Sequence, residues 1–227
     1  DLLILCNPHN PIGRVLTKDE MVKISEIVDR HNGRVFSDEI HAPLRYEGQT
    51  HVPYASVNGV AAGHTITAIA ASKAWNLAGL KCAQLILSNE ADAARWKEIG
   101  MFAGHGASTV GVIASIAAYN DGREWLAEIT EYLDGNRRYL SDLVAQHLPG
   151  VVYNQPQGTY LAWLDFRNTG LDGNLAEFFR EHAKVALTDG GACGEIGQRH
   201  IRFNFAMPRP LLETAVTRMG GALASFY

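Results

Sequence analysis

The hydrophobic pattern of the chain begins with a short apolar run and then changes to a helical period. Residues 2–6 (LLILC) are continuously apolar and precede the turn-rich NPHNPIG, which predicts a buried strand that ends at Asn7. Thr17 with Glu20 three residues later forms a capping-box pattern, and apolar residues then recur at helical spacing as far as His31. The sequence therefore predicts a strand followed by a helix.

The next segments continue this alternation. Asn32-Gly33 is a typical helix end, and residues 34–37 (RVFS) have the composition of a second strand. Two further short strands are predicted at 65–69 and 84–87. Because a strand, a helix and a strand joined in this way usually form a right-handed parallel crossover, we expect a mostly parallel sheet with helices.

The second half of the chain has a different organisation. Residues from about 108 to 147 follow a helical pattern that is interrupted at Asp121-Gly122. After the Pro149-Gly150 turn, the pattern predicts strands at 151–153, 160–166 and 201–205, with helices near 175–182 and from about Pro208. This mixture indicates a second, smaller α+β domain. We therefore divide the chain into residues 1–120, part of a large domain, and residues 121–227, a connecting helix with the small domain.

Composition and charge exclude several classes of function. Of the 227 residues, 47% are hydrophobic and 19% are charged, which excludes a disordered tail and a disulfide miniprotein. The formal net charge is −4 with neither sign gathered into a block, so no nucleic-acid or membrane-surface partner is expected. The cysteines Cys6, Cys82 and Cys193 are widely spaced, which favours reduced thiols in a cytoplasmic protein and gives no support for a metal site. A small molecule or a second copy of the chain is the expected partner.

Four motifs carry candidate chemistry, and each is at or near the end of a predicted strand. They are NPHNPIG at 7–13, SDEIH at 37–41, SKAWNLAGLK at 72–81 and RFNF at 202–205. In open α/β sheets, ligands bind at the edge where the strands end. The motifs are therefore predicted to contribute to one ligand site.

In this order, the motifs resemble those of the fold-type I pyridoxal-phosphate enzymes, the aspartate aminotransferase superfamily. Within it, DEIH, SKAWNLAGLK and QGTYLAWLDFR are similar to the cystathionine β-lyase and cysteine-S-conjugate β-lyase branch. The resemblance covers essentially the whole chain. It implies an α/β fold, made of the C-terminal part of the large cofactor-binding domain followed by the small domain, and it implies pyridoxal 5′-phosphate as the cofactor.

The resemblance assigns the central roles to a lysine and an aspartate. Lys73 matches the lysine that forms a Schiff base with the cofactor aldehyde and then removes the substrate α-proton as general base. The alternative is an ordinary surface lysine. Asp38 matches the carboxylate that pairs with the pyridine nitrogen of the cofactor, and its place after an apolar strand favours partial burial. The alternative for Asp38 is a helix N-cap.

Two further residues match positions near the phenolic oxygen of the cofactor. Asn10 matches an amide that hydrogen-bonds this oxygen, although Asn-Pro is also a common turn sequence. His41 stands where aminotransferases of the superfamily usually have a tyrosine, and this departure favours the lyase branch. A histidine that only packs is the alternative for His41, and His9 and His51 are interpreted as structural.

The phosphate and the substrate carboxylate require hydrogen-bond donors and cations. By resemblance, Ser72 and Lys81 are the candidates for the phosphate, and Lys81 stands where aminotransferases place an arginine. Ala70 replaces a serine of many relatives and has no hydroxyl, so Ser72 is the better hydroxyl candidate for the phosphate. Arg202 matches the arginine that binds the substrate α-carboxylate, and strand alternation would place it opposite the apolar Ile201 and Phe203. A solvated strand face is the alternative for Arg202.

The resemblance implies β-elimination from an S-substituted cysteine such as cystathionine, giving a thiol, pyruvate and ammonia. An aminotransferase is the second hypothesis, because both reactions share the residues that hold the cofactor. A catalytically incomplete fragment, or a non-catalytic regulatory protein with this fold, is the third. The resemblance also implies a homodimer, and it implies that an N-terminal arm, a glycine-containing phosphate loop and a stacking aromatic residue are missing. Two placements are expected for Tyr160 and Trp163: they border the substrate pocket or, as the alternative, they pack within the small domain.

Overall fold

The computed structural model describes residues 1–226, and its first half contains a four-stranded sheet. The strands are β1 (Leu2–Cys6), β2 (Arg34–Asp38), β3 (Thr65–Ile69) and β4 (Gln84–Leu87), in the order β1-β2-β3-β4. The first three strands are parallel and β4 is antiparallel to β3. All four predicted strands are therefore confirmed.

The helix α1 (Lys18–Arg30) connects the first two strands and begins at the predicted capping box. The backbone N–H of Glu20 donates to Oγ1 of Thr17, and the carboxylate of Glu20 accepts from the backbone N–H of Thr17. Met21 and Val28 are buried on one side of the helix. They belong to a core cluster with Leu5, Val35, Tyr54, Val57 and Ala61.

Five further α-helices lie between residue 59 and residue 147, some between the strands of this sheet and some after its last strand. They are α2 (Gly59–His64), α3 (Ala71–Ala74), α4 (Glu90–Ala103), α5 (Thr109–Asp121) and α6 (Arg123–His147). The predicted helical region from about 108 to 147 is confirmed as two helices, α5 and α6, with the break at Gly122. The helix α4 was not predicted. Its apolar residues, such as Trp96, Ile99 and Met101, are not gathered on one face, so the sequence shows no helical period there.

A second sheet of four strands lies in the C-terminal part. Its strands are β5 (Val152–Tyr153), β6 (Leu161–Asp165), β7 (Thr188–Asp189) and β8 (His200–Asn204), in the order β5-β6-β8-β7. All neighbours in this sheet are antiparallel. The helices α7 (Leu175–His182) and α8 (Arg209–Ala224) complete the α+β arrangement.

The chain divides into two compact units. The first contains Asp1–His9 and Arg14–Thr130, and the second contains Asn10–Gly13 and the described residues from Glu131 onward. The short segment from Asn10 joins the second unit because the backbone N–H groups of Gln157 and Gly158 donate to the carbonyl of Gly13. No helix within residues 1–226 is long and apolar enough to cross a membrane.

Candidate active site

In the first unit, the candidate residues are organised by the carboxyl ends of the parallel strands. Cys6 of β1 is paired with Asp38 of β2, and Asp38 is paired with Ala68 of β3. The backbone N–H of Asn7 donates to the carbonyl of Asp38, and its side-chain oxygen accepts from the backbone N–H of Leu16. The segments after β1, β2 and β3 therefore start at one edge of the sheet, as predicted for a ligand site.

Lys73 lies on the four-residue helix α3, directly after β3. Ala71 and Ala74 bury the inner side of this helix, and Lys73 is half-buried. Helices this short have little stability of their own, so packing must hold α3 in place. Trp75 provides this packing: its indole N–H donates to the carbonyl of Gly122 at 2.8 Å, and its ring meets that of Tyr119 edge-on.

A cavity of about 570 Å³ opens beside this helix. Ser72, Lys73 and Lys81 line it, together with Ile40 and Cys82 among others. Its volume lies within the range of about 300–1,000 Å³ that is common for small-molecule sites. The structure thus brings three of the predicted residues to one cavity within the first unit, whereas Asp38 and His41 are not among the lining residues.

The loop that carries Lys81 is held by the start of α5. Lys81 has a left-handed backbone (φ +52°), which residues other than glycine rarely adopt. Its carbonyl accepts from the backbone N–H of Ser108 at 3.2 Å, and the hydroxyl of Ser108 donates to the carbonyl of Leu80. At Gly111, a Cβ atom would lie 2.3 Å from that same carbonyl oxygen. The close approach therefore requires glycine at this position.

Asp38 is the last residue of β2 and is half-buried. One carboxylate oxygen accepts from the backbone N–H of Ile40 at 3.2 Å, which is the local turn that aspartate commonly forms. Residues 40–43 form turns, so Asp38 is not the N-cap of a helix. Its carboxylate is placed at the strand end, next to the strand that precedes Lys73.

Glu39, directly after Asp38, is a buried carboxylate that the sequence interpretation missed. It is 3% exposed and accepts from the hydroxyl of Ser37 at 2.8 Å and from the backbone N–H of Tyr54 at 2.9 Å. Its other oxygen lies 2.8 Å from Nε2 of His51. A buried charge needs such partners. The expectation that His51 is structural agrees with this contact, and His41, only two residues after Glu39, is itself buried.

In the second unit, the structure brings Arg202 and Asn10 together. One terminal nitrogen of the Arg202 guanidinium, Nη1, donates to Oδ1 of Asn10 at 3.2 Å, and the other, Nη2, donates to Oγ1 of Thr188 at 3.2 Å. Ile201 and Phe203 are buried on the opposite face of β8, as alternation predicted. Arg202 lies in the middle of β8 and not at its end as predicted. Its side chain is therefore presented by a face of this antiparallel sheet.

Aromatic residues near Arg202 are partly buried. Tyr160 precedes β6, and burial raises the pKa of its hydroxyl while the positive charge of Arg202 opposes that change. Trp163 is the residue of β6 that pairs with Arg202, and its ring stacks on His200 with centroids 5.1 Å apart. The expectation of packing within the small domain is consistent with these contacts.

These residues supply several of the groups that bind pyridoxal phosphate. The amine of Lys73 is on the wall of a cavity that also contains a hydroxyl from Ser72 and an ammonium from Lys81, which suit a phosphate. The carboxylate of Asp38 is held at the edge of the sheet from which the segment carrying Lys73 also starts. The donor set therefore fits this cofactor. Thr188 was missed because no motif marks it, and Glu39, although it lies within SDEIH, was missed because its partners His51 and Tyr54 are distant in sequence.

Comparison with known proteins agrees with this arrangement. The family model described as Aminotransferase class I and II matches residues 1–219. A cystathionine β-lyase of Corynebacterium glutamicum is 43% identical over 223 residues, which cover 97% of this chain and 59% of that protein. The chain thus spans less than two thirds of the length of the curated relatives it matches.

Solved structures give the same result. Cystalysin from Treponema denticola, which contains a pyridoxal 5′-phosphate cofactor, superposes with a TM-score of 0.93 at 31% identity, covering 100% of this chain and 58% of its own. A PLP-bound C–S lyase from Staphylococcus hominis has a TM-score of 0.88 at 33% identity, covering 98% of this chain and 58% of its own. The predicted resemblance and fold class are confirmed, and the chain belongs to the aminotransferase class I and II family.

Proposed function

We propose that the full-length protein is a pyridoxal-phosphate-dependent carbon–sulfur β-lyase. Its substrate would be cystathionine or another cysteine S-conjugate, and its products a thiol, pyruvate and ammonia. The observation that carries this proposal is the cavity lined by Ser72, Lys73 and Lys81, in a chain 43% identical to a cystathionine β-lyase. The motifs DEIH and SKAWNLAGLK support the same branch of the family.

When bound, pyridoxal phosphate supplies an aldehyde that bonds amines and a ring that withdraws electrons from the substrate α-carbon. Asp38 would hold a proton on the ring nitrogen by accepting its hydrogen bond. Ser72 and Lys81 would bind the phosphate, and Asn10 and His41 the phenolic oxygen. These side chains orient the reacting atoms and hold charge where the reaction needs it.

Lys73 and Arg202 would act on the substrate itself. Lys73 would hold the cofactor through its Nζ, and the same Nζ would accept the substrate α-proton as general base. Arg202 binds the α-carboxylate with its planar guanidinium and so orients the α-carbon. Loss of the thiolate from the β-carbon and addition of water then give pyruvate and ammonia.

An aminotransferase is the alternative, because the same side chains would hold the cofactor for either reaction. His41, where aminotransferases usually have a tyrosine, favours the lyase. We also propose a cytoplasmic homodimer, in which residues 1–120 form part of the large domain and residues 121–227 the connecting helix and small domain. The separated thiols of Cys6, Cys82 and Cys193, which form no disulfide, support a reducing compartment.

The test is product analysis of the full-length protein with cystathionine and cofactor. A lyase releases free thiol, pyruvate and ammonia in equal amounts, without an added keto acid. The Lys73→Ala variant should abolish product formation, whereas Lys97→Ala, at an exposed position of α4, should leave it unchanged. Product that appears only when a keto acid acceptor is supplied, without free thiol, would establish the aminotransferase instead. Absence of both products would favour a non-catalytic regulatory protein with this fold.

A further inference from the structure

We propose that Thr188 is the positioning residue for Arg202: its hydroxyl aims the guanidinium at the α-carboxylate of the amino-acid substrate. This inference rests on the proposed function, because it requires Arg202 to bind that carboxylate. It adds a residue that none of the four sequence motifs contains. Thr188 acts through Arg202 and has no chemical step of its own.

The geometry of Arg202 shows how two neighbours fix its orientation. Nη1 donates to Oδ1 of Asn10, and Nη2 donates to Oγ1 of Thr188, each at 3.2 Å. The guanidinium is planar and has five N–H donors, so one bond on each terminal nitrogen fixes the rotation of the plane. The N–H groups that remain in that plane are directed away from these two acceptors. A carboxylate that binds in bidentate fashion needs a pair of donors held in one plane.

The strand that carries Thr188 is short but well fixed. Thr188 pairs with Arg202 and Asp189 pairs with Ile201 across β7 and β8. The carboxylate of Asp189 accepts from the backbone N–H of Gly191 at 2.9 Å, which closes the turn that follows. Because threonine is branched at Cβ, its hydroxyl has few alternative orientations. The acceptor for Nη2 is therefore held by the backbone of the sheet.

The turn after β7 is also closely packed. A Cβ atom at Gly190 would lie 2.2 Å from the carbonyl oxygen of Gly197, and one at Gly197 would lie 2.1 Å from that of Gly190. Two backbone segments that follow β7 thus approach each other directly. This contact restricts the movement of β7, and hence the movement of the Thr188 hydroxyl relative to Arg202.

Thr188 lies outside the buried core of the second unit, which favours a positioning role over a core-packing role. The residue is half-buried, whereas the neighbouring Ile201 and Phe203 of β8 are fully buried on the other face. Trp163 pairs with Arg202 from the opposite strand, so the arginine has an aromatic residue on one side and the hydroxyl on the other. Valine has nearly the shape of threonine, and at this position Thr188→Val removes the hydroxyl with little change in packing.

The test uses the full-length holoenzyme and compares Thr188→Val with Thr188→Ser, which keeps the hydroxyl. For cystathionine, Thr188→Val should raise KM by about three- to tenfold with little change in kcat, because Thr188 acts only through Arg202 and the loss corresponds to one hydrogen bond of ordinary net strength. The Kd for cystathionine, measured by calorimetry in a Lys73→Ala background, should rise by the same factor. Thr188→Ser should restore most of both. A cystathionine analogue whose α-carboxylate next to the reacting amine is replaced by a carboxamide should show no such difference between the variants.

Arg202→Ala separates failure of this inference from failure of the proposed function. If Arg202→Ala leaves KM and Kd unchanged, Arg202 does not bind the carboxylate, and the proposed role fails together with this inference. If Arg202→Ala weakens binding but Thr188→Val leaves KM and Kd unchanged, only the role of Thr188 is overturned. An equal loss with the carboxamide analogue would also overturn it, because a general structural effect would act on both ligands.

Discussion

Removal of the Glu39 carboxylate should destabilise the first unit more than any exposed carboxylate does. Glu39 is 3% exposed and accepts three hydrogen bonds, from Ser37, from the backbone of Tyr54 and from His51. Glu39→Ala leaves all three donors in a buried site without their acceptor. The segment from residue 40 to residue 53 contains no regular helix, so these bonds are important in holding it to β2.

The expected magnitude follows from the burial and the number of bonds. A hydrogen bond to a charged group contributes about 1.5–3 kcal/mol, and a buried donor left without its acceptor costs about 1–3 kcal/mol. Because three donors lose their acceptor, we expect Glu39→Ala to lower the free energy of unfolding by about 3–5 kcal/mol. Glu39→Gln keeps the size and one carbonyl acceptor for Ser37 and Tyr54, so its cost should be about 1–2 kcal/mol.

The assay is urea denaturation followed by circular dichroism, together with hydrogen exchange at the Tyr54 amide. Glu26→Ala, at an exposed position of α1, is the matched control and should change stability by less than about 0.5 kcal/mol. Exchange at the Tyr54 amide should be faster in Glu39→Ala than in Glu26→Ala. Equal unfolding midpoints for these two variants, with equal exchange rates at Tyr54, would show that the Glu39 carboxylate does not stabilise the first unit.

Three further predictions concern stability. Gly13→Ala should lower the urea midpoint more than Gly48→Ala does. Both positions have positive φ, but a Cβ atom at Gly13 would lie 2.2 Å from Cβ of Pro156, whereas one at Gly48 would contact nothing. Equal shifts of the two midpoints would contradict this prediction. Thr17→Ala removes the N-cap of α1 and should lower the free energy of unfolding by about 1 kcal/mol in the same assay. An unchanged urea midpoint would count against a stabilising capping box. Burial lowers the pKa of His64 below its ordinary 6.5, so the folded state binds fewer protons and its stability should fall as the pH drops below about 6.5. Urea midpoints between about pH 8 and pH 5 should show a smaller decrease in His64→Gln, and an identical decrease would contradict this assignment.

Elements with a strong local signal were predictable from the sequence. The capping box of Thr17 and Glu20 marks the start of α1, and alternation in β8 places Arg202 opposite Ile201 and Phe203. These patterns depend on residues a few positions apart, so a single sequence reveals them. The motifs around Asp38 and Lys73 were also visible, because each directly follows or ends a short apolar strand.

Contacts between distant residues were not predictable in the same way. Glu39 meets His51 and the amide of Tyr54 through an irregular segment that has no period. Thr188 belongs to a strand of only two residues, which is too short for alternation to appear. Its relation to Arg202 depends on strand register, and register is set by tertiary packing rather than by local sequence.

Lys73 is the lysine proposed to bond pyridoxal phosphate. The most direct measurement is borohydride reduction of the full-length protein with the cofactor, followed by peptide mapping with mass spectrometry. We expect one stable pyridoxyl adduct on Lys73, its loss in Lys73→Ala, and no adduct on Lys81, which lines the same cavity. An adduct on Lys81 or on exposed lysines with Lys73 unmodified would contradict this assignment.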